Sequence, residues 1–331
     1  MKPNRRALLQ LALAGSGLGA AASATRITRD QPSTRRAGVA FDTGVALTVV
    51  GLDACDANLA LDAGFAEIRR LEQVASLTRP GSDICRLNAK GRLAKPDQAL
   101  LDMLAVADQV HRASGGAFDV TLQPLWILYD AYAKRGEWPS DEQSAPARAL
   151  IGQADVAFNR DEIAFARPGM AITLNSLTHG YAADRVARVL AEHGVQHAFV
   201  DTGEMETLGR GAGGRAWQAG IQHPRQPDRL LGPLPFSGCI ATAGDYQYYW
   251  SEDFSRNHIL DPLNGASPAS FASVSVIAHS AVLADALSTA VCVVGPDRAV
   301  DLLLHFEAQA YALTKDGSIW SSPGFPREQR A

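Results

Sequence analysis

Cysteine is scarce in this 331-residue chain: four residues, Cys55, Cys85, Cys239 and Cys292, lie far apart. None forms a CxxC pair, which argues against a zinc or dithiol redox motif. Their density is far below that of a disulfide-stapled miniprotein, and spacing alone does not set a pairing. A basic field is also missing. The 31 Lys and Arg face 35 Asp and Glu, for a net charge of −4, so no nucleic-acid partner is expected. The sequence has no GxSxG, Walker A or HExxH signature. No apolar run reaches the roughly 20 residues of a membrane-spanning helix.

Apolar residues are present in quantity, at 47%, which excludes a long disordered chain. The length suits one large domain or two ordinary ones. No repeat, low-complexity block or second linker divides it, so one globular unit is expected.

Charge is uneven at the N-terminus. Lys2, Arg5 and Arg6 precede the apolar run Ala7–Ala22, which ends in the small residues Ala22-Ser23-Ala24. This pattern reads as an export signal over residues 1–24, with an uncleaved anchor as the alternative. Arg5-Arg6 followed by Ala7-Leu8-Leu9-Gln10 resembles a twin-arginine signal, which implies the twin-arginine export machinery and a periplasmic location. No Cys follows the run, so a lipid anchor is not expected. Cleavage leaves a net charge of −7, from 28 basic and 35 acidic residues. Residues 25–37, rich in Arg, Thr, Ser and Pro, read as a flexible leader. The domain is then expected over 38–326.

Hydrophobic periodicity predicts a strand at Val45–Val50 and helices at Ala57–Leu77, Pro96–Ala113, Tyr181–His193 and Leu283–Val294. Gly115-Gly116 and Gly194 stop two of these helices. A strand begins at Ala198–Val200, and later strands fall within Ile240–Trp250 and Ser273–Ala278. Residues 134–148, polar and with two prolines, read as a loop or short connector. Helices mixed with late-clustered strands point to an α+β fold. Cys292, in the run Ala290–Val294, is expected as a buried small hydrophobe.

Five segments could carry chemistry. Asp285 and Thr289 share a helix face at i,i+4 and offer hard oxygens of the kind Mg²⁺ takes. The same pair fits an N-cap Asp and a back-bonded Thr. Asn175–Tyr181 lies just before a helix, where free N–H groups favour an anion, or where an ordinary capped turn would sit. His258 could accept a proton near neutral pH, with Asp261 to orient it or to add charge at a metal; a structural His entering the Asn264-Gly265 turn is the alternative. Gly115–Thr121 brings backbone and Phe118 to a ligand, or is a helix stop with a core Phe. Thr202-Gly203-Glu204-Met205 is a strand-to-loop junction or a surface turn.

Six pieces in this order resemble the ApbE family of FAD:protein FMN transferases. They are Arg79-Pro80-Gly81-Ser82 with Arg86-Leu87-Asn88, Gly115–Thr121, Gly180–Arg185, Thr242–Tyr246, His258–Pro262 with Gly265, and Ala284–Thr289. The resemblance spans about Ala40 to Gly295. It implies a single T-fold-related flavin transferase domain with mixed or antiparallel sheets and flanking helices. It implies cleavage of the FAD pyrophosphate, attachment of FMN through its phosphate to a Thr of an exported or membrane electron-transfer protein, and release of AMP. It implies that Ser176, Asp285 and Thr289 hold Mg²⁺ and that His258 activates the acceptor hydroxyl. Phe41, Ala117, Phe118, Asp119, Thr173, His179 and Ile259 match positions that contact FAD.

Some positions depart from the family pattern. Phe41-Asp42-Thr43 stands for Met-Gly-Thr, Thr78 for a flavin-stacking Tyr, and Thr173 for an acidic residue. His179 stands for Lys, Gln or Glu, and Gly203-Glu204 for Gly-Asp. Ala171–Asn175, Val120–Trp126, the Gly203-Glu204 pair and the twin-arginine-like start resemble the NosX-type proteins of nitrous-oxide respiration in denitrification, whose implied acceptor is the membrane flavoprotein NosR. The other readings are a periplasmic flavin-binding carrier without transferase activity and a FAD pyrophosphatase.

Overall fold

The computed structural model describes residues 31–325. The expected export signal, residues 1–24, and the first part of the expected leader lie outside them. The leader itself needs correction. Ser33–Ala40 forms β1, paired antiparallel along its whole length with β2 (Thr43–Val50). Its side chains are mostly exposed, so no apolar alternation marks it. It is held by the ladder and by Arg36, which bonds Asp62 and Asn58. The connection is the two-residue turn Phe41-Asp42, with φ of +48° and +61°. Positive φ at both positions is the geometry that twists a tight hairpin correctly, and glycine usually supplies it.

The remaining strands are β3 (Arg92–Ala94), β4 (Val156–Phe158), β5 (Glu162–Phe165), β6 (His197–Asp201), β7 (Met205–Leu208), β8 (Trp217–His223), β9 (Gln226–Phe236), β10 (Cys239–Gly244), β11 (Phe271–Ala278), β12 (Gln309–Thr314) and β13 (Ile319–Ser321). Eight form one sheet, in the order β1-β2-β6-β7-β10-β11-β12-β13, with every neighbouring pair antiparallel. A three-stranded sheet, β3-β5-β4, and the separate β8–β9 hairpin complete the set. The expected strand run over 240–250 ends at Gly244, where the chain turns.

The helices are α1 (Ala54–Ala75), α2 (Asp83–Lys90), α3 (Gln98–Ala113), α4 (Gln123–Ala133), α5 (Asp141–Arg148), α6 (Asn175–Glu192) and α7 (Ala281–His305). Among the described residues, none is long and apolar enough to cross a membrane. The α+β architecture is as expected. α1 starts on Asp53, whose carboxylate accepts from the N–H groups of Cys55 and Asp56, and buries Leu61, Ile68 and Leu71. α3 ends as Gly115 and Gly116 take positive φ.

Three helices differ from the sequence reading. α5 replaces part of the expected connector. It is polar and contains Pro146, but a Ser140–Gln143 capping box starts it. α6 begins six residues before Tyr181, with Ser176 off helical geometry at φ −84°, ψ 20°. α7 runs on past Val294 because the chain resumes helix after Gly295 and Pro296. Cys292 is buried as expected, and all four thiols are free.

α6 and α7 pack on one another, and α7 lies on β10 and β11. The contact is close enough that a Cβ on Gly180 would fall 2.2 Å from the Ala281 carbonyl oxygen. Asp184 accepts from the N–H groups of Ala281 (2.7 Å) and Val282 (3.0 Å), so α6 caps the start of α7. Beside this cap, the Asp184, Glu206 and Cys239 ligand atoms lie within 4.8 Å of one another. Burial and the neighbouring Asp184 push the Glu206 carboxyl up to about 8.

Two outcomes follow from this junction. Gly180→Ala is expected to cost about 1–3 kcal/mol through overpacking, read as a lower denaturation midpoint at unchanged slope. The Glu206 carboxyl keeps in the fold a proton that the unfolded chain gives up near its ordinary range. Its contribution to stability is therefore complete at low pH and is lost as pH rises toward 8. Glu206→Gln is expected to flatten that part of the melting-temperature–pH curve; an unchanged slope would refute the assignment.

Candidate functional site

Four stretches distant in sequence meet in one narrow cleft. Ala117, Phe118 and Asp119 follow the Gly115-Gly116 turn and continue through Val120 and Leu122 to Trp126 on α4. Thr173 and Ser176 enter from the start of α6, His258, Ile259 and Leu260 from the segment after β10, and Thr289 from α7. Eight of the eleven residues expected from sequence thus line a single cleft: Ala117, Phe118, Asp119, Thr173, Ser176, His258, Ile259 and Thr289. Val120, Leu122, Trp126 and Leu260 complete the lining beyond the expected residues. Their signal was present, since Leu122 and Trp126 share a helical face at i,i+4 and Leu260 follows His258 by two.

The other three expected residues stand outside the cleft lining. Asp285 lies one helical turn before Thr289 and is 5% exposed. Its Oδ2 accepts from the Gly180 N–H at 3.1 Å. Phe41 and His179 form an edge-on ring pair with centroids 5.7 Å apart. His179 Nδ1 lies 2.8 Å from the Thr202 carbonyl, and Gly203 sits so close that a Cβ would meet that nitrogen at 2.8 Å. The Phe41 N–H donates to Glu72, which also binds Arg79.

The structure removes the bland readings of Asp285 and Thr289. α7 begins at Ala281 and is capped by Asp184, so Asp285 is no N-cap. The Thr289 and Ser176 hydroxyls make no hydrogen bond to the described residues. Asp119 is otherwise engaged: its carboxylate accepts from Thr121 N–H (2.8 Å), the Thr121 hydroxyl and Gln153 N–H (3.0 Å).

His258 is held by its own loop. Its backbone N–H and its Nδ1 both lie 3.0 Å from the Tyr248 carbonyl oxygen. A carbonyl can only accept, so Nδ1 carries the hydrogen and Nε2 keeps the lone pair. Burial lowers the His258 pKa, against smaller opposing effects from the Tyr248 carbonyl and Asp245. The neutral form, with a free Nε2, is therefore favoured at neutral pH.

Behind the cleft, acid charge accumulates. Burial pushes the Asp285 carboxyl up to about 7, reinforced by Asp184 and opposed by the Gly180 N–H. Burial raises Glu204 well above its ordinary range, with Asp285 and Asp201 adding to the effect, although its Oε2 accepts from Thr242 N–H at 2.8 Å. Asp201 is raised to about 6, chiefly by burial. Neither Asp285 nor Glu204 has a Lys or Arg ion-pair partner among the described residues. A buried carboxylate, two unengaged hydroxyls and an uncompensated acid field are the donor chemistry of a hard divalent cation, so Ser176, Asp285 and Thr289 fit such an ion. Glu204, from the fifth motif, was not counted as a site residue. Two of its neighbours, Thr242 on β10 and Asp285 on α7, are distant in sequence.

The larger groove on the surface lies elsewhere, between α3 and the end of α7. Its charged residues Asp108 and Arg112 pair with one another.

Comparison with known proteins identifies the family. The ApbE family profile matches residues 41–313. The FAD:protein FMN transferase of Escherichia coli K12 is 28% identical over 270 residues, 77% of each chain. That of Vibrio cholerae is 30% identical over 243 residues, 70% of this chain and 72% of the relative. Among solved structures, the flavinyl transferase ApbE of Pseudomonas stutzeri is 30% identical with a TM-score of 0.77, over 89% of this chain and 96% of that one. The ApbE protein of Thermotoga maritima is 26% identical with a TM-score of 0.80, over 90% and 100%. Matched by the family profile over most of its length, this chain belongs to the ApbE family.

Proposed function

We propose that this protein is a Mg²⁺-dependent FAD:protein FMN transferase. The observation that carries the reading is the convergence of Ser176, His258 and Thr289 with Ala117–Asp119, Thr173 and Ile259 in one cleft. The relatives named FAD:protein FMN transferase support it. In the reaction, the oxygen of an acceptor Thr hydroxyl bonds to the FMN phosphorus of FAD, the pyrophosphate P–O bond breaks, and AMP leaves. His258 Nε2 takes the hydroxyl proton, a device worth about 10²–10⁴-fold. Asp285, Thr289 and Ser176 would hold Mg²⁺, which would neutralise pyrophosphate charge and orient the phosphorus. Phe118, Ile259 and Ala117 supply the apolar wall against FAD, and Trp126 and Leu260 extend it. Phe41 and His179, paired edge-on, are the further FAD contacts of this reading, with His179 held at the Thr202 carbonyl.

The acceptor in this reading is a NosR-type membrane flavoprotein, and the enzyme is exported to the periplasm by the twin-arginine route. The N-terminal pattern and the NosX-like motifs support those two points. The FAD pyrophosphatase and the flavin carrier are separated from transfer by products alone.

The deciding experiment incubates the mature protein with FAD, Mg²⁺ and a periplasmic fragment of the NosR-type acceptor. Acceptor mass and AMP are followed. Transfer gives an acceptor heavier by FMN together with AMP. AMP with free FMN indicates the hydrolase, and bound FAD with neither product indicates the carrier. Asp285→Ala is expected to abolish transfer; full activity in that variant would overturn the metal assignment. Because the His258 pKa is lowered, the acidic fall in kcat is expected below the ordinary histidine range of about 6.5. His258→Gln is expected to lose about 10²–10⁴-fold in kcat and that acidic limb with it.

A further inference from the structure

We propose that Arg225, at the tip of the β8–β9 hairpin, is a positioning residue for His258. The inference rests on the transferase reading, in which His258 is the base.

The hairpin tip is the two-residue turn Pro224-Arg225, flanked by the paired residues His223 and Gln226. This ribbon is a sheet of its own, outside the eight-stranded ladder. Its tip nevertheless reaches the segment that carries His258. Arg225 Nη1 and Nη2 each bond one oxygen of Asp245 at 2.7 Å, a bidentate pair with a carboxylate only 2% exposed. The same guanidinium lies 4.0 Å from the centre of the Phe254 ring. Asp245 opens the loop that ends at His258, and Phe254 lies four residues before the histidine. Arg225 therefore grips this loop at two points.

The grip on Phe254 matters because its backbone is in the left-handed region, at φ +59°, which a large L side chain enters only when surroundings impose it. In that conformation the Phe254 carbonyl accepts from Asn257 Nδ2 at 3.0 Å and from Lys315 Nζ at 3.2 Å. Asn257 precedes His258 directly, and its Oδ1 accepts from the Ile259 N–H at 3.1 Å. Contacts thus run from Arg225 through Phe254 and Asn257 to both neighbours of the imidazole. Lys315, 3.6 Å from Asp245, closes the clamp from β12's end. Arg225 is not among the residues lining the cleft, so it acts on the loop and not on FAD. Arginine is the suitable residue, since only its planar fork binds a carboxylate at two oxygens while stacking on an aromatic face.

The test compares Arg225→Ala, Arg225→Lys, Asp245→Asn and His258→Gln in the full mature enzyme with FAD, Mg²⁺ and the acceptor fragment. Exchange of the His258 ring Nδ1–H is followed by NMR in parallel, so that one readout does not require turnover. The expected result for Arg225→Ala is a kcat lower by about 10–100-fold, the scale of a misplaced catalytic group, with the KM for FAD unchanged. The His258 Nδ1–H should exchange faster as its bond to Tyr248 loosens. Arg225→Lys should recover part of the kcat, and Asp245→Asn should reproduce the loss without removing side-chain volume. Wild-type kcat and exchange in Arg225→Ala, with His258→Gln inactive, would overturn the positioning role and leave the base intact. So would a matched change in kcat and KM explained by a lower melting temperature. Wild-type transfer in His258→Gln would instead overturn the reading of His258 itself.

Discussion

The close contact between α6 and α7 is the constraint on which the site depends. Gly180 has no side chain, and the Ala281 carbonyl occupies the space a Cβ would need. At that separation three hydrogen bonds cross the interface. Asp184 caps Ala281 and Val282, and the Gly180 N–H returns a bond to Asp285. The start of α7 is therefore fixed in rotation as well as in distance. One turn on, Thr289 must face the cleft that Ser176 enters from the start of α6. The proposed use of the Asp285–Thr289 oxygen pair depends on this second helix being locked against it.

The same packing sets the electrostatics. Burying Asp285 near Glu204 and Asp184 without a basic partner costs energy that an ordinary core would avoid. Such a cost is typical of a functional site, where stability is given up to hold charge ready for a ligand. In the proposed function it also answers how an acidic protein, of net charge −4, could handle an anionic dinucleotide. The attraction does not come from the net charge. It comes from the cation that the acid field would retain and from the cleft's position on the helix pair.

Much of this was legible in the sequence where local chemistry suffices. α1 and α3 showed themselves through apolar spacing, α3 closed on Gly115-Gly116, and six of the eight expected cleft residues fall inside the six motifs. Reading failed where tertiary partners decide. β1 has a polar sequence and becomes a strand only because β2 offers it a full ladder. α5 looked like a connector because Pro146 and polar residues outweighed its capping box. α6 starts at Asn175, through the largely polar run 175–180 with Ser176 off helical geometry in its first turn, so the sequence places its start too late. Phe41 and His179 meet edge-on beside the Thr202–Gly203 turn, a pairing that no spacing in the sequence announces. Glu204 and Arg225 carried no periodic signal, since each acquires its meaning from a strand or loop far away in the chain.

In the proposed function, the α6–α7 junction builds a divalent-cation site from Ser176, Asp285 and Thr289. The most direct measurement is anomalous diffraction from crystals of the mature protein grown with FAD and Mn²⁺ in place of Mg²⁺. The account predicts an anomalous peak within bonding distance of Asp285 and Thr289 and beside Ser176. A peak at Asp184, Glu206 and Cys239, or FAD bound in the cleft with no peak at Asp285, would contradict it.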